Sequence, residues 1–239
     1  MIKPIIGIIP TYVENDGHIY DEYDKYMSIY GRKVKEAGGI PVGLIIEDDI
    51  LPEQLDMCDG FIIQGGHKIR RFVYQVIDYA IKNNKPLLGI CMGSEAIDIY
   101  SVVADNVSIS EDIEATYKRL KEENDGSLLR RLADNNMHGN EFVTMDDYNN
   151  ALHKITIDKD SIAYSIFEKE EMEVPSMHNY DYKMVGSNFK VTAYAPDGVS
   201  EIIEYNNKDY FIIGTHFHVE LMDTNMFKCF IDECKKRSK

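Results

Sequence analysis

Four short apolar runs, at residues 4–9, 40–46, 59–66 and 87–90, constrain this chain more than any other feature. A strand wetted on one face alternates apolar with polar residues. A run with almost no polar member must be covered on both faces, as central strands of parallel sheets are. Between the runs the spacing changes to that of helices. Tyr23, Tyr26, Met27, Tyr30 and Val34 share one face over residues 21–37, and Gly38-Gly39 supplies a glycine stop. Leu51-Pro52-Glu53-Gln54-Leu55 begins a brief helix, and Ile69, Phe72, Val73, Val76, Ile77 and Ala80 make a second helical face. This alternation predicts an α/β fold, a parallel sheet with helices on both faces. Ligands of such sheets bind beyond the carboxyl ends of the strands, where Gly65, Gly66 and Cys91 fall.

The run Leu87-Leu88-Gly89-Ile90 ends at Cys91, and Met92-Gly93-Ser94-Glu95 can begin a helix. A cysteine at that corner meets the unpaired N–H groups and partial positive charge of a helix N-terminus, which favour thiolate over thiol. Gly89 and Gly93 leave room for a tight turn, and the layout has the mechanics of a nucleophile elbow with sulfur as the attacking atom. An inert buried cysteine explains Gly-x-Cys-x-Gly equally well, so its partners must decide.

With 44% hydrophobic residues in 239, the chain can bury a full core, and it is expected to form a single domain over residues 1–239. Its net charge of −15 argues against nucleic acid and anionic membrane as partners. Cys58, Cys91, Cys229 and Cys234 lack the spacing of a disulfide framework. A reducing compartment is therefore expected. The first ten residues lack the apolar core of a signal peptide, and no run reaches the ~20 apolar residues of a membrane span. The expected location is the cytoplasm.

From Ala96 to about Asn136 the chain should be mostly helical and heavily charged. A helix start is expected at Ser110-Glu111-Asp112-Ile113-Glu114 and a break between helices at Asn124-Asp125-Gly126-Ser127. This helical insertion, roughly residues 105–137, is either a lid or a solvated amphipathic hairpin. Short strands follow near residues 153–157, 190–194, 200–205 and 210–214, with turns between them. The second half should therefore extend the sheet with antiparallel strands.

After the last of these comes Gly214-Thr215-His216-Phe217-His218-Val219-Glu220. Were it extended, His216, His218 and Glu220 would share one face. A carboxylate two residues from a histidine can fix its tautomer and stabilise the imidazolium. His218 would then be the base for Cys91, with Glu220 orienting it.

These motifs, with Ala37-Gly38-Gly39-Ile40-Pro41-Val42, Ser176-Met177-His178 and Asp197-Gly198-Val199-Ser200-Glu201, resemble in order those of class I glutamine amidotransferases. The nearest branch is that of the γ-glutamyl-γ-aminobutyrate hydrolases, the C26 peptidases. The resemblance implies a flavodoxin-like sheet carrying a Cys91-His218-Glu220 triad that cleaves a small-molecule γ-glutamyl amide through a thioester. It also implies an oxyanion hole made by the backbone N–H groups of Gly66 and Met92. Gly65, Glu95, His178 and His216 would border the substrate, and no cofactor or metal is expected. A second copy of the chain and a separate synthetase receiving ammonia are candidate partners.

The sequence departs from the family pattern at several positions. Glu95 stands where the family has Gln, His216 stands where it has Gln, and Val219 replaces a proline. Pro175-Ser176-Met177-His178-Asn179-Tyr180 retains one histidine of an Asn-Ser-x-His-His-Gln stretch. Glu95 could meet a substrate cation or merely pair with a neighbouring lysine or arginine. Two rival readings are a divalent-metal site built from His178, His216, His218 and Glu220, and a catalytically silent binding or regulatory protein.

Overall fold

In the computed structural model, the described residues are all except 1–2, 15–21, 47–48, 109, 135, 142–143 and 239. The four apolar runs become strands β1 (Ile5–Ile9), β4 (Ile40–Gly43), β5 (Gly60–Ile63) and β6 (Leu87–Ile90), all mutually parallel. Their reach onto both faces explains why they contain so little polarity. Ile6, Ile8, Ile62, Leu88 and Ile90 join one core cluster, and Ile9, Phe61, Ile63 and Leu87 join the other. Each such fully buried side chain contributes roughly 1.5–3 kcal/mol of transfer free energy.

The first cluster is covered by helices α1 (Ser28–Glu36), α7 (Ile162–Phe167) and α8 (Met226–Arg237). The second is covered by α3 (Arg71–Lys82) and α4 (Met92–Asn106), with the short α2 (Pro52–Asp56) beside them. Beyond β6 the sheet continues through β13 (Ile212–Thr215), β12 (Ser200–Tyr205), β11 (Phe189–Tyr194), β8 (Leu152–Ile157) and β9 (Glu171–Pro175). Only β13 extends the parallel part, and the strands past it are antiparallel. The nine-stranded order is β4-β1-β5-β6-β13-β12-β11-β8-β9. The expected α/β sheet with an antiparallel extension is what the chain forms.

The structure departs from the sequence reading in two stretches. The helix expected over residues 21–37 begins only at Ser28, and Asp21 lies outside the described residues. Tyr23 belongs instead to β3 (Glu22–Lys25), which pairs with β2 (Thr11–Glu14) in a hairpin. The helical spacing of Tyr23 and Tyr26 is coincidental, because cross-strand pairing overrides local periodicity. Of the insertion, only α5 (Ile113–Glu123) is a substantial helix. Its N-cap Asp112 accepts a hydrogen bond from the Ala115 N–H at 2.8 Å, at the expected start.

Asp125 and Gly126, at φ +57° and +83°, then turn the chain into β7 (Leu129–Arg131), not a second helix. This strand pairs with β10 (Tyr180–Tyr182), a distant partner that leaves no local signature. Leu120 and Tyr117 pack α5 into the core against α3 and α4. The remaining helix, α6 (Met145–Asn150), precedes β8. No described helix is long and apolar enough to cross a membrane. Cys58, Cys91, Cys229 and Cys234 are free thiols.

Candidate active site

Three adjacent parallel strands, β5, β6 and β13, end side by side and deliver Gly65-Gly66, Cys91 and His216–His218 to one edge of the sheet. The β6–β13 register aligns Ile90 with Thr215, and the Cys91 N–H extends the ladder by donating to the Thr215 carbonyl at 2.8 Å. Residues 125 positions apart in sequence are thus held within one strand spacing.

Cys91 turns the chain from β6 into α4 at φ +52° and ψ −113°. That conformation strains any residue with a Cβ, and such outliers cost about 1–3 kcal/mol. Neighbouring backbone enforces it: a Cβ on Gly93 would lie 2.3 Å from the Ile63 carbonyl oxygen, and one on Gly89 would lie 2.5 Å from that of Gly93. Met92 is the first residue of α4, so its N–H has no acceptor within the helix. Gly65 lies against Cys91 and the imidazole, where an added Cβ would sit 3.3 Å from His218 Cε1 and 3.4 Å from Cys91 Cβ. Gly66 is packed on Thr11 so tightly that a Cβ would fall 2.0 Å from its Oγ1.

His218 does not lie on an extended strand. The strand stops at Thr215, and His218 caps a 3-10 turn, Val219–Leu221, which swings Glu220 back beneath the ring. His218 Nδ1 lies 2.7 Å from Glu220 Oε1. Burial works against charge on His218, but the Glu220 carboxylate and hydrogen bonds to Cys91 and Glu220 outweigh it and raise the ring to about 10. The ring is therefore an imidazolium facing the sulfur. The far side of the sulfur meets the Met177 carbonyl oxygen at 3.7 Å.

Tyr30, read from the sequence only as a helix-face residue, is part of this network. Its hydroxyl donates to Glu220 Oε1 at 3.0 Å and accepts from the Gly65 N–H at 3.2 Å. Burial and the Glu220 charge push that hydroxyl well above its usual value, so it remains a donor. Gln64, also missed, clamps the same loop. Its Oε1 accepts from the Met27 N–H at 2.8 Å, and its Nε2 donates to the Ile9 and Lys25 carbonyls at 2.9 and 3.0 Å.

Three of the expected substrate contacts, Glu95, His178 and His216, are buried. His216 is fully buried; Nδ1 donates to the Ser200 carbonyl at 3.0 Å and Nε2 lies 3.3 Å from Glu95 Oε1. Burial opposes its charge, but the Glu95 partner wins and raises it. Glu95 is thus paired with a histidine, neither with a lysine nor with an arginine. His178 stacks on His216 at 3.7 Å and 10°, and Tyr182 stacks on it at 5.0 Å and 13°. His216 is thus packed against two aromatic rings. His178 itself is driven down to about 4 by burial and the neighbouring His216, so it is neutral, with Nδ1 donating to the Tyr180 carbonyl at 3.0 Å. The metal grouping of His178, His216, His218 and Glu220 does not form, because each histidine engages a different carboxylate: Glu201, Glu95 and Glu220 respectively.

The sequence reading also passed over His138 and His153, which meet Glu201 together with His178 beneath this layer. A separate surface cleft between α3 and α5, lined by Tyr74, Ile113 and Tyr117 among others, contains none of these residues.

The family model for Peptidase C26 matches residues 4–76 and 70–220. Protein NtpR of Enterococcus hirae is 24% identical over 227 residues, which cover 84% of this chain and 85% of that protein. CTP synthase of Synechocystis sp. is 28% identical over 171 residues, 68% of this chain but only 30% of that larger protein. The Trypanosoma brucei CTPS glutaminase domain with bound acivicin has a similar fold, with a TM-score of 0.66 at 17% identity over 99% of this chain and 96% of that one.

Proposed function

The chain belongs to the Peptidase C26 family, and from that premise we propose that it is a cysteine-dependent hydrolase of γ-glutamyl amide bonds. The observation that carries this reading is the strained Cys91 at the head of α4 facing an imidazolium that Glu220 holds at 2.7 Å. Cys58 and Cys234, by contrast, are buried thiols that desolvation pushes up, Cys58 to about 11.

The Cys91 sulfur attacks the amide carbonyl carbon, and the displaced electron pair moves to the oxygen. The N–H groups of Gly66 and Met92 stabilise that oxyanion; each such donor is worth about 3 kcal/mol of barrier. Collapse breaks the C–N bond, and His218 passes its proton to the departing amine. The γ-glutamyl thioester is then attacked by water, which gives its proton to His218, and glutamate leaves as the thiolate is restored. Glu220 stabilises the imidazolium in both halves.

A second reading is favoured by the similarity to CTP synthase and to its glutaminase domain: the amine is ammonia, passed to a separate synthetase. Both readings are tested by incubating the protein with a panel of γ-glutamyl amides and following glutamate release. Turnover of glutamine above all others favours ammonia delivery. Turnover of larger amides favours free-standing hydrolysis, and a panel with no glutamate release, while iodoacetamide still labels Cys91, would leave a silent binding protein.

A further inference from the structure

We infer that His138, His153 and Glu201 form a binding site for a divalent transition-metal ion of the zinc class, beneath the catalytic layer and separate from it. His138 Nδ1 and His153 Nε2 lie 3.0 and 2.9 Å from the same Glu201 oxygen, Oε1. One ligand atom from each of the three residues lies within 4.8 Å of the others. Donors bound to one tetrahedral zinc at about 2.0–2.1 Å stand roughly 3.3 Å apart, so the two distances from Glu201 are close to those of a coordinated set. Two imidazoles and a carboxylate are also a donor set that suits zinc and its neighbours, with one position left for water.

His153 Nε2 shares a hydrogen bond with Glu201 Oε1 at 2.9 Å, which a bound ion would replace. The outer nitrogen of His138, Nε2, is held by the Asp197 carboxylate at 3.0 Å, which aims Nδ1 inward. A carboxylate on the far nitrogen is the usual support of a metal-bound histidine. His138 Nδ1 lies near Glu201 but does not align on it as a hydrogen-bond donor would, and Glu201 Oε2 has no partner among the described residues. Both residues are fully buried, where an unsatisfied polar atom costs about 1–3 kcal/mol.

His178 also approaches this carboxylate, its Nε2 lying 3.4 Å from Glu201 Oε1. Asp197 is partly exposed and His153 slightly so, which gives an ion a route inward.

The site would brace the catalytic cysteine. His138 and His153 precede and begin β8, and Glu201 lies on β12, so an ion ties a loop to two strands of the sheet. The His138 carbonyl accepts from the His178 N–H at 2.9 Å and Gly139 bridges to Met177. Met177 in turn offers its carbonyl to Cys91.

The test is a cobalt titration of untagged protein carrying Cys91→Ala, dialysed against a chelator, so that the active-site thiol cannot compete. The expected result is a visible ligand-field band that saturates at one equivalent of Co²⁺ and is abolished by one equivalent of Zn²⁺. His153→Gln should remove the band. Asp197→Asn, which alters a partly exposed support, should weaken binding about 10- to 100-fold while the fold is retained by circular dichroism. Absence of a saturable band in the parent, or an unchanged band in His153→Gln, overturns the proposal. Neither readout involves amide hydrolysis, so this test and that of the proposed function fail independently.

Discussion

Glu95 and His216 meet: Oε1 of one stands 3.3 Å from Nε2 of the other, in the interior behind Cys91. These are two positions at which the sequence departs from the pattern of the family it resembles, and here their side chains touch. His216 is further held by the Ser200 carbonyl and by two stacked rings.

The pair should therefore behave as a unit. Glu95→Gln and His216→Gln are each expected to cost about 1–3 kcal/mol of stability, because each leaves a buried polar partner behind. The double variant, with Gln at both positions, should recover at least about 1 kcal/mol of the summed loss. Urea unfolding of the four proteins measures this, and strictly additive losses would refute the coupling.

Tyr30→Phe is expected to fold normally and lose about 10- to 100-fold in kcat with little change in KM, since catalytic geometry is lost without a binding contact. The variant removes one hydroxyl that serves Glu220 and the Gly65 N–H together. Steady-state kinetics on the best γ-glutamyl amide would decide it. An unchanged kcat would show that the network orients nothing.

Glu220→Gln should keep the fold and slow turnover by as much as a thousandfold or so, because an amide cannot stabilise the His218 imidazolium. It should also change the pH dependence of stability. His218 is raised in the folded protein from 6.5 to about 10. Its contribution is therefore fully present below pH 6.5 and is lost as the pH rises through about 10. Melting temperatures of the wild type should fall across that window more steeply than those of Glu220→Gln; parallel profiles would contradict the assignment.

Cys91→Gly and Cys91→Ala should both be inactive, yet the glycine variant should be the more stable by about 1 kcal/mol. Glycine tolerates φ +52° and ψ −113° without the clash that a Cβ suffers there. Denaturant midpoints compare them directly. An alanine variant as stable as the glycine one would mean that the elbow stores no strain.

The apolar runs at β1, β5 and β6, the helical face of α3, and the Gly-x-Cys-x-Gly corner were legible because each signal lies within about 12 residues and follows from burial on both faces or from one turn's geometry. The proximity of His218 and Glu220 was legible too, since they are two residues apart, although the 3-10 turn that brings them together was not. The β2–β3 hairpin, β7 and β10 left no such trace. Each is three or four residues long and is stabilised by a partner strand.

Periodicity and burial act locally along the chain, so the order of residues alone yields the parallel sheet, helices that cover it and a cysteine at a strand-to-helix corner. Which histidine meets which carboxylate depends on the assembled fold. His216 found Glu95, His218 found Glu220, and His138, His153 and His178 converged on Glu201. In a buried interior each charge needs a counter-charge within a few ångströms, and strand order sets which one lies in reach.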